Sequence, residues 1–153
     1  MTNPPLHLRP LNILLVIAGG ILGTLARFGL ENAIPTLHGW PLPTLIINLA
    51  GAFLLGVLLE ALLRRGADQG VRRTIRLAVG TGFMGAFTTY STLATEAVHL
   101  GASNQVGGAV LYAVLSLLGG VLASTVGIWA ASIHHRRTSA RRSGAQAAVE
   151  ANR

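Results

Sequence analysis

The stretch GTGFMGAFTTYST (Gly80–Thr92) lies in the middle of a long apolar segment. It gathers three glycines and six hydroxyl side chains into thirteen residues. Each of Gly80, Gly82 and Gly85 weakens a helix by about 1 kcal/mol relative to alanine. Thr88, Thr89, Ser91 and Thr92 supply hydroxyls that can satisfy the backbone groups such weakening sets free. The stretch therefore predicts a helix broken at mid-membrane. The competing reading is a kinked helix whose serine and threonine side chains bond back to its own carbonyls. Inside a bilayer, non-helical backbone survives only where protein buries it or where it lines a cavity. Transporters use such breaks to coordinate ions with exposed carbonyls. A coordination site is the preferred reading.

The surrounding composition agrees with a membrane setting. Of 153 residues, 51% are hydrophobic and only 11% charged, well under the roughly one quarter charged in a soluble domain. Mean hydropathy is +0.56. Cysteine is absent, which excludes disulfides and thiolate metal sites. No small-x-small cleavage pattern with a polar mature region follows the first apolar run, so that run is read as a retained span. An isoelectric point near 11.7 raises the question of nucleic acid. Ten of the twelve basic residues, however, lie between or after the apolar runs, and not on a face with aromatic or polar readers among them.

Four segments are long enough to cross a bilayer, which takes about 20 residues. They run from about 11 to 30, 44 to 63, 75 to 98 and 106 to 133, giving an all-α membrane domain over 11–133. Residues 1–10 form a short leading segment, and the basic tail 134–153 is expected to end disordered or as a frayed helix. All twelve basic residues are arginine: five fall between Arg64 and Arg76, and five more between Arg136 and Arg153. The turns at 33–43 and 99–105 carry none. The loop-charge rule then predicts that both chain ends face the cytoplasm.

Polar groups within the spans need a partner or a task. For Arg27 one reading is snorkelling to the outer interface or pairing with Glu31 one turn later. The other is an anion attractor at a pore vestibule. Asn48 lies one turn after Thr44, with Gly51 a further turn away. A membrane asparagine commonly hydrogen-bonds a neighbouring helix, and it also offers the N–H donor that an anion pathway needs. The glycines of "GGILG" (19–23), together with Gly51 and Gly56, permit close helix approach.

Three motifs, in order and one per span, resemble those of the bacterial Fluc/CrcB fluoride channels. "GGILGTLARF" (19–28) is similar to Gly-Gly-x-x-Gly-Ala-x-x-Arg-Tyr, with Thr24 and Phe28 replacing Ala and Tyr. "NLAGAFLLG" (48–56) fits Asn-x-x-Gly-x-Phe-x-x-Gly, and "GFMGAFTTYSTL" (82–93) resembles Gly-Phe-x-Gly-Gly-x-Thr-Thr-Phe-Ser-Thr-Phe. The resemblance covers roughly 11–133. It implies an antiparallel dimer of four-helix subunits with two fluoride pores. It also implies a central Na+ held by backbone carbonyls of both subunits, here Gly85 and Thr88. The pore positions it implies are Asn48, Tyr90, Ser91, Thr92, Leu93 and, more loosely, Ser116. Tyr90 and Leu93 stand where the family has stacked phenylalanines, and Glu96 where it has an acidic residue. Fluoride is tightly hydrated, so its dehydration needs donors such as amides, hydroxyls and aromatic ring edges. The implied function is passive fluoride efflux across the bacterial plasma membrane.

Two departures bear on the partner. Leu93 removes a ring edge, and the strong arginine bias disfavours the mixed insertion that an antiparallel homodimer requires. The expectation is a heterodimer with an oppositely oriented paralogue, with the homodimer as alternative. A non-conducting subunit remains a second reading. A small multidrug-type exporter needs a carboxylate in its first span, and residues 11–26 contain none. No intramembrane His/Asp/Ser constellation points to an enzyme.

Overall fold

The computed structural model describes residues 9–36 and 39–151, with side chains to 136. Each of the first two long helices carries a proline in its first turn, Pro10 and Pro43, whose fixed φ suits that turn and whose missing N–H is not needed there. Helix α1 spans Pro10–Ala33 and stops where Ile34, held extended (φ −95°, ψ 117°), precedes Pro35. Helix α2 spans Leu42–Leu63. Gly66 (φ +106°) and Gly70 (φ +53°) turn the chain after it. The chain then enters α3 (Val71–Ile75), a π-helical segment (Arg76–Phe83), α4 (Met84–Phe87) and α5 (Tyr90–Ala102). Asn104 (φ 58°) makes the turn into α6, Val106–Ala151.

Three of these helices are long and apolar enough to cross a membrane: Pro10–Ala33, Leu42–Leu63 and the Val106–Arg136 part of α6. The stretch expected as a span at 75–98 is a succession of shorter pieces, broken at Thr88–Thr89. Glycine is not where the helix parts. Gly80 and Gly82 lie within the π-helical segment and Gly85 within α4. The backbone of α6 stays helical through the region expected as a disordered or frayed tail, as far as Ala151.

The helices associate as two tight contacts. In the first, α2 lies along α6, and a side chain at Gly56 would collide with the Ser124 carbonyl. In the second, α1 lies along the π-helical segment and α4, with Gly19 against the Ala78 carbonyl. Ile47, Met84 and Phe87 form the buried centre between the two contacts, with Phe83 stacked on Phe87 at 5.7 Å. Elsewhere apolar side chains turn outward, as Leu14, Leu25, Leu118 and Leu122 do. Lipid as solvent makes that arrangement costless, because hydrocarbon tails are as apolar as leucine.

The chain reversals sort to opposite ends. Arg64 reaches Ser132 on α6 (Nη2 to Oγ, 3.0 Å), and Asn12 at the start of α1 lines a cleft with Arg73. Gly39, Pro41, Ser103 and Gln105 line a cleft at the other end. The arginines of the 64–76 stretch therefore share one end with the start of α1 and the later part of α6.

Candidate functional site

The site is built around the break. Thr88 (φ −86°, ψ 153°) and Thr89 (φ −143°, ψ 125°) are both extended, so two residues of ladder are missing between α4 and α5. Asn48 on α2 takes the place of that ladder. Its Nδ2 donates to the Thr89 carbonyl at 2.9 Å, and its Oδ1 accepts from the Thr89 N–H at 2.8 Å. A side-chain amide is a peptide group in miniature, so one residue satisfies both backbone groups at once. Thr89 then caps α5, its Oγ1 accepting from the Thr92 N–H at 3.2 Å.

These bonds divert partners from two carbonyls. In an unbroken helix the Thr89 N–H would point to the Gly85 carbonyl, and the Thr92 N–H to that of Thr88. Asn48 and Thr89 Oγ1 take those donors instead. The Met84 carbonyl keeps the Thr88 N–H (3.1 Å) and gains the Thr88 hydroxyl (3.0 Å). Arg27 serves the Ala86 carbonyl, with Nε donating at 3.2 Å, while its Nη1 pairs with Glu31 at 3.2 Å. The pairing expected of Arg27 is thus present, and the same guanidinium also ties α1 to the end of α4.

Beside the break lies a cleft of about 300 Å³. Asn48, Thr88, Tyr90, Leu93 and Ser116 all line it, so the structure brings together most of the pore residues expected from sequence. Tyr90 stands 78% exposed. Ser116 is 8% exposed, and its Oγ is buried with no hydrogen-bond partner among the described residues. Ser91 and Thr92 do not line the cleft. Their hydroxyls instead lie within hydrogen-bond distance of Thr89 Oγ1, at 3.2 and 3.0 Å.

One helical turn away is a second polar cluster that sequence reading only half found. Glu96 accepts from the Thr44 hydroxyl (2.8 Å) and from the Tyr112 hydroxyl (2.6 Å). Thr44 and Tyr112 are almost fully buried, at 2% and 0% exposure. Thr44 and Asn48 are four apart on α2, and Tyr112 and Ser116 four apart on α6, so each pair shares a helix face. The result is two polar rungs between α2, α5 and α6, leading from the 39–41 and 99–105 end to the break. Tyr112 could have been singled out as a phenol inside an apolar span, but nothing in its local sequence pairs it with Glu96.

A polar track of this kind, with an idle buried hydroxyl beside a helix break, suits the passage of a small ion. Residues 14–128 match the family described as CrcB-like protein, Camphor Resistance (CrcB). The chain belongs to the CrcB family. It is similar to a protein named fluoride-specific ion channel FluC 2 from Leifsonia xyli subsp. xyli (strain CTCB07), at 47% identity over 124 residues, 81% of this chain and 86% of that one. A protein named fluoride-specific ion channel FluC 1 from Cutibacterium acnes (strain DSM 16379 / KPA171202) is 46% identical over 119 residues, covering 77% and 83%. One named FluC 2 from Moorella thermoacetica (strain ATCC 39073 / JCM 9320) is 45% identical over 122 residues, covering 78% and 94%. The CrcB match spans α1 to α6 and so includes the break, the cleft and both rungs.

Proposed function

We propose that this chain is a subunit of a fluoride channel that lowers cytoplasmic fluoride by passive efflux across a bacterial plasma membrane. The observation that carries the reading is the unpartnered, buried Ser116 hydroxyl in the cleft beside Asn48. A buried hydroxyl without a partner costs free energy, and an anion in the cleft would use it. Asn48 adds a donor, because an amide carries two N–H hydrogens and the Thr89 carbonyl takes one. The ring of Tyr90 offers a positive edge. Together these groups replace part of the water that a small anion sheds, and no lysine is present to hold it too tightly. The task is ion passage, with no bond made or broken.

In this reading the pieces from Val71 to Ala102 are a fourth, discontinuous crossing, and two subunits pair antiparallel through it. The Gly85 and Thr88 carbonyls, whose helix donors are diverted, suit a hard monovalent cation. They would hold Na+ together with the partner subunit's matching carbonyls, fixing the crossing point and placing positive charge near the anion path. The arginine-rich end faces the cytoplasm by the loop-charge rule. Leu93 lines the cleft where a ring would add a further donor edge. Together with the one-sided arginines, this favours pairing with an oppositely oriented paralogue, and relatives named FluC 1 and FluC 2 are in keeping with paired genes.

The test is fluoride efflux from liposomes holding the purified chain, alone and with a paralogue of opposite arginine bias. Fluoride-selective flux with the partner, and little without, is the expected outcome. Full flux alone would remove the heterodimer, and absence of flux in both would remove conduction.

A further inference from the structure

A second, larger cleft, sharing no lining residue with the first, lies at the arginine-rich end. It measures about 480 Å³, within the range of small-molecule pockets at roughly 300–1,000 Å³. Its walls are of two kinds. Ile13, Val16 and Ile17 of α1, with Leu77 of the π-helical segment, form an apolar side. Arg73, Arg76 and Asp68 form a charged rim. α1 is long and apolar enough to cross a membrane, so in a bilayer the apolar side would sit at hydrocarbon depth and the charged rim would reach the headgroups.

The rim carries an excess of positive charge held in place. Arg76 donates through Nε and Nη2 to Asp68 Oδ2 at 3.0 and 2.8 Å. Arg73 donates to the Asp68 carbonyl at 2.8 Å, with its Nε 3.9 Å from the same Oδ2. One carboxylate thus orients two guanidiniums without neutralising both. The 64–76 stretch holds five arginines and only this one acid, so most of its positive charge is left uncompensated within the stretch.

We infer that this cleft seats an anionic phospholipid, its phosphate at Arg73 and Arg76 and an acyl chain along Ile13, Val16, Ile17 and Leu77. Basic pockets between membrane helices on the cytoplasmic side bind lipid headgroups in this manner. A free phosphate would leave the apolar wall unused. A second copy of the chain brings no acidic complement. Its arginine-rich end repels, and its other end has no acid in 33–43 or 99–105. Glu31 and Glu96, the acids nearest those turns, are engaged by Arg27 and by Thr44 and Tyr112. This inference is independent of what passes the cleft at Asn48.

The experiment is native mass spectrometry of the full-length chain in mild detergent, titrated with phosphatidylglycerol or with phosphatidylcholine of the same acyl chains. Retention of phosphatidylglycerol should exceed that of phosphatidylcholine by roughly ten-fold, since each arginine near a charged surface contributes a factor of about five, less the share Asp68 already takes. The double variant Arg73→Gln/Arg76→Gln should abolish the preference, and Arg65→Gln, outside the cleft, should keep it. Ile17→Trp, which fills the apolar side while leaving both arginines, should lower retention of phosphatidylglycerol. Ile17 is 52% exposed, so this variant tests the inference even if the double variant does not fold. Equal retention of the two lipids, or phosphatidylglycerol retention untouched by Ile17→Trp, overturns the proposal. Displacement of phosphatidylglycerol by millimolar inorganic phosphate would show a simple anion site and overturn it as well.

Discussion

The α2 wall and the α6 wall of the central cleft each present a polar side chain, and the two are in opposite states. Asn48 is engaged in both directions by the Thr89 backbone, at 2.9 and 2.8 Å. Ser116, across the cleft, is more deeply buried than Asn48, and its hydroxyl has no hydrogen-bond partner among the described residues. A polar group in a membrane protein must be satisfied by protein or be held for something else. On the proposed function, the α2 wall is scaffolding that also lends a donor, while the α6 wall offers its hydroxyl to the ion. Stability and flux should separate along that line.

The largest effect is expected from Asn48→Ala. Both backbone groups of Thr89 lose their partner, at about 1–3 kcal/mol for each left unpaired. Thermal unfolding in detergent should show a clear loss of stability, with fluoride efflux falling alongside it. An unchanged melting midpoint would mean that the break does not depend on its clamp. Next comes Thr89→Val, which keeps both backbone bonds to Asn48 and removes only the cap on α5, at about 1 kcal/mol. Hydrogen exchange at the first turn of α5 should rise while the rest of the bundle stays protected.

Ser116→Ala should change stability least of the three, by no more than a few tenths of a kcal/mol and in the stabilising direction, because no bond is lost. Its efflux should nonetheless drop by roughly ten-fold or more, the worth of a hydrogen bond to a charged group. A variant with lower stability and normal flux would reverse the contrast between the walls. The smallest effect lies outside the membrane. Hydrogen bonding to Arg76 holds the Asp68 carboxyl below its ordinary range. A depressed carboxylate stabilises above its unfolded pKa, near 4, and that support fades as pH falls through the lower folded value. Proteolysis of the exposed 64–70 loop should be constant between pH 5 and 8 and quicken only below about 4.

The sequence made the membrane character, the long helices and the presence of a break legible, because each leaves a local mark. Charge-free runs and starting prolines mark α1 and α2, and the hydroxyl cluster marks Thr88–Thr89. The glycines were a less direct guide. They suggested the break by weakening the helix, whereas Gly82 serves contact with α1, where an added side chain would meet the Val16 carbonyl at 2.6 Å. Asn48 and Ser116 could be named as pore candidates, but their different states depend on which backbone groups lie within 3 Å, which no spacing encodes. Thr44 and Tyr112 converge on Glu96 from 52 and 16 residues away. Ser91 and Thr92, which the family resemblance implies for the pore, turn their hydroxyls to Thr89 Oγ1, a local contact that no motif spacing displays.

The π-helical segment has a consequence for the length of the chain. Across its eight residues the backbone winds more widely than in an α-helix, and the Met84 N–H reaches back five residues to Val79. A π-turn holds one residue more than the α-turn it replaces. Loss of a residue there can be absorbed by tightening to α geometry, with both flanks kept in phase. Loss of a residue between Phe83 and Thr89 has no such slack and would rotate the Gly85 and Thr88 carbonyls, proposed above as cation ligands, out of register. The segment is thus a length buffer, set between the arginine-rich end, where loops can vary, and the break, where register is fixed.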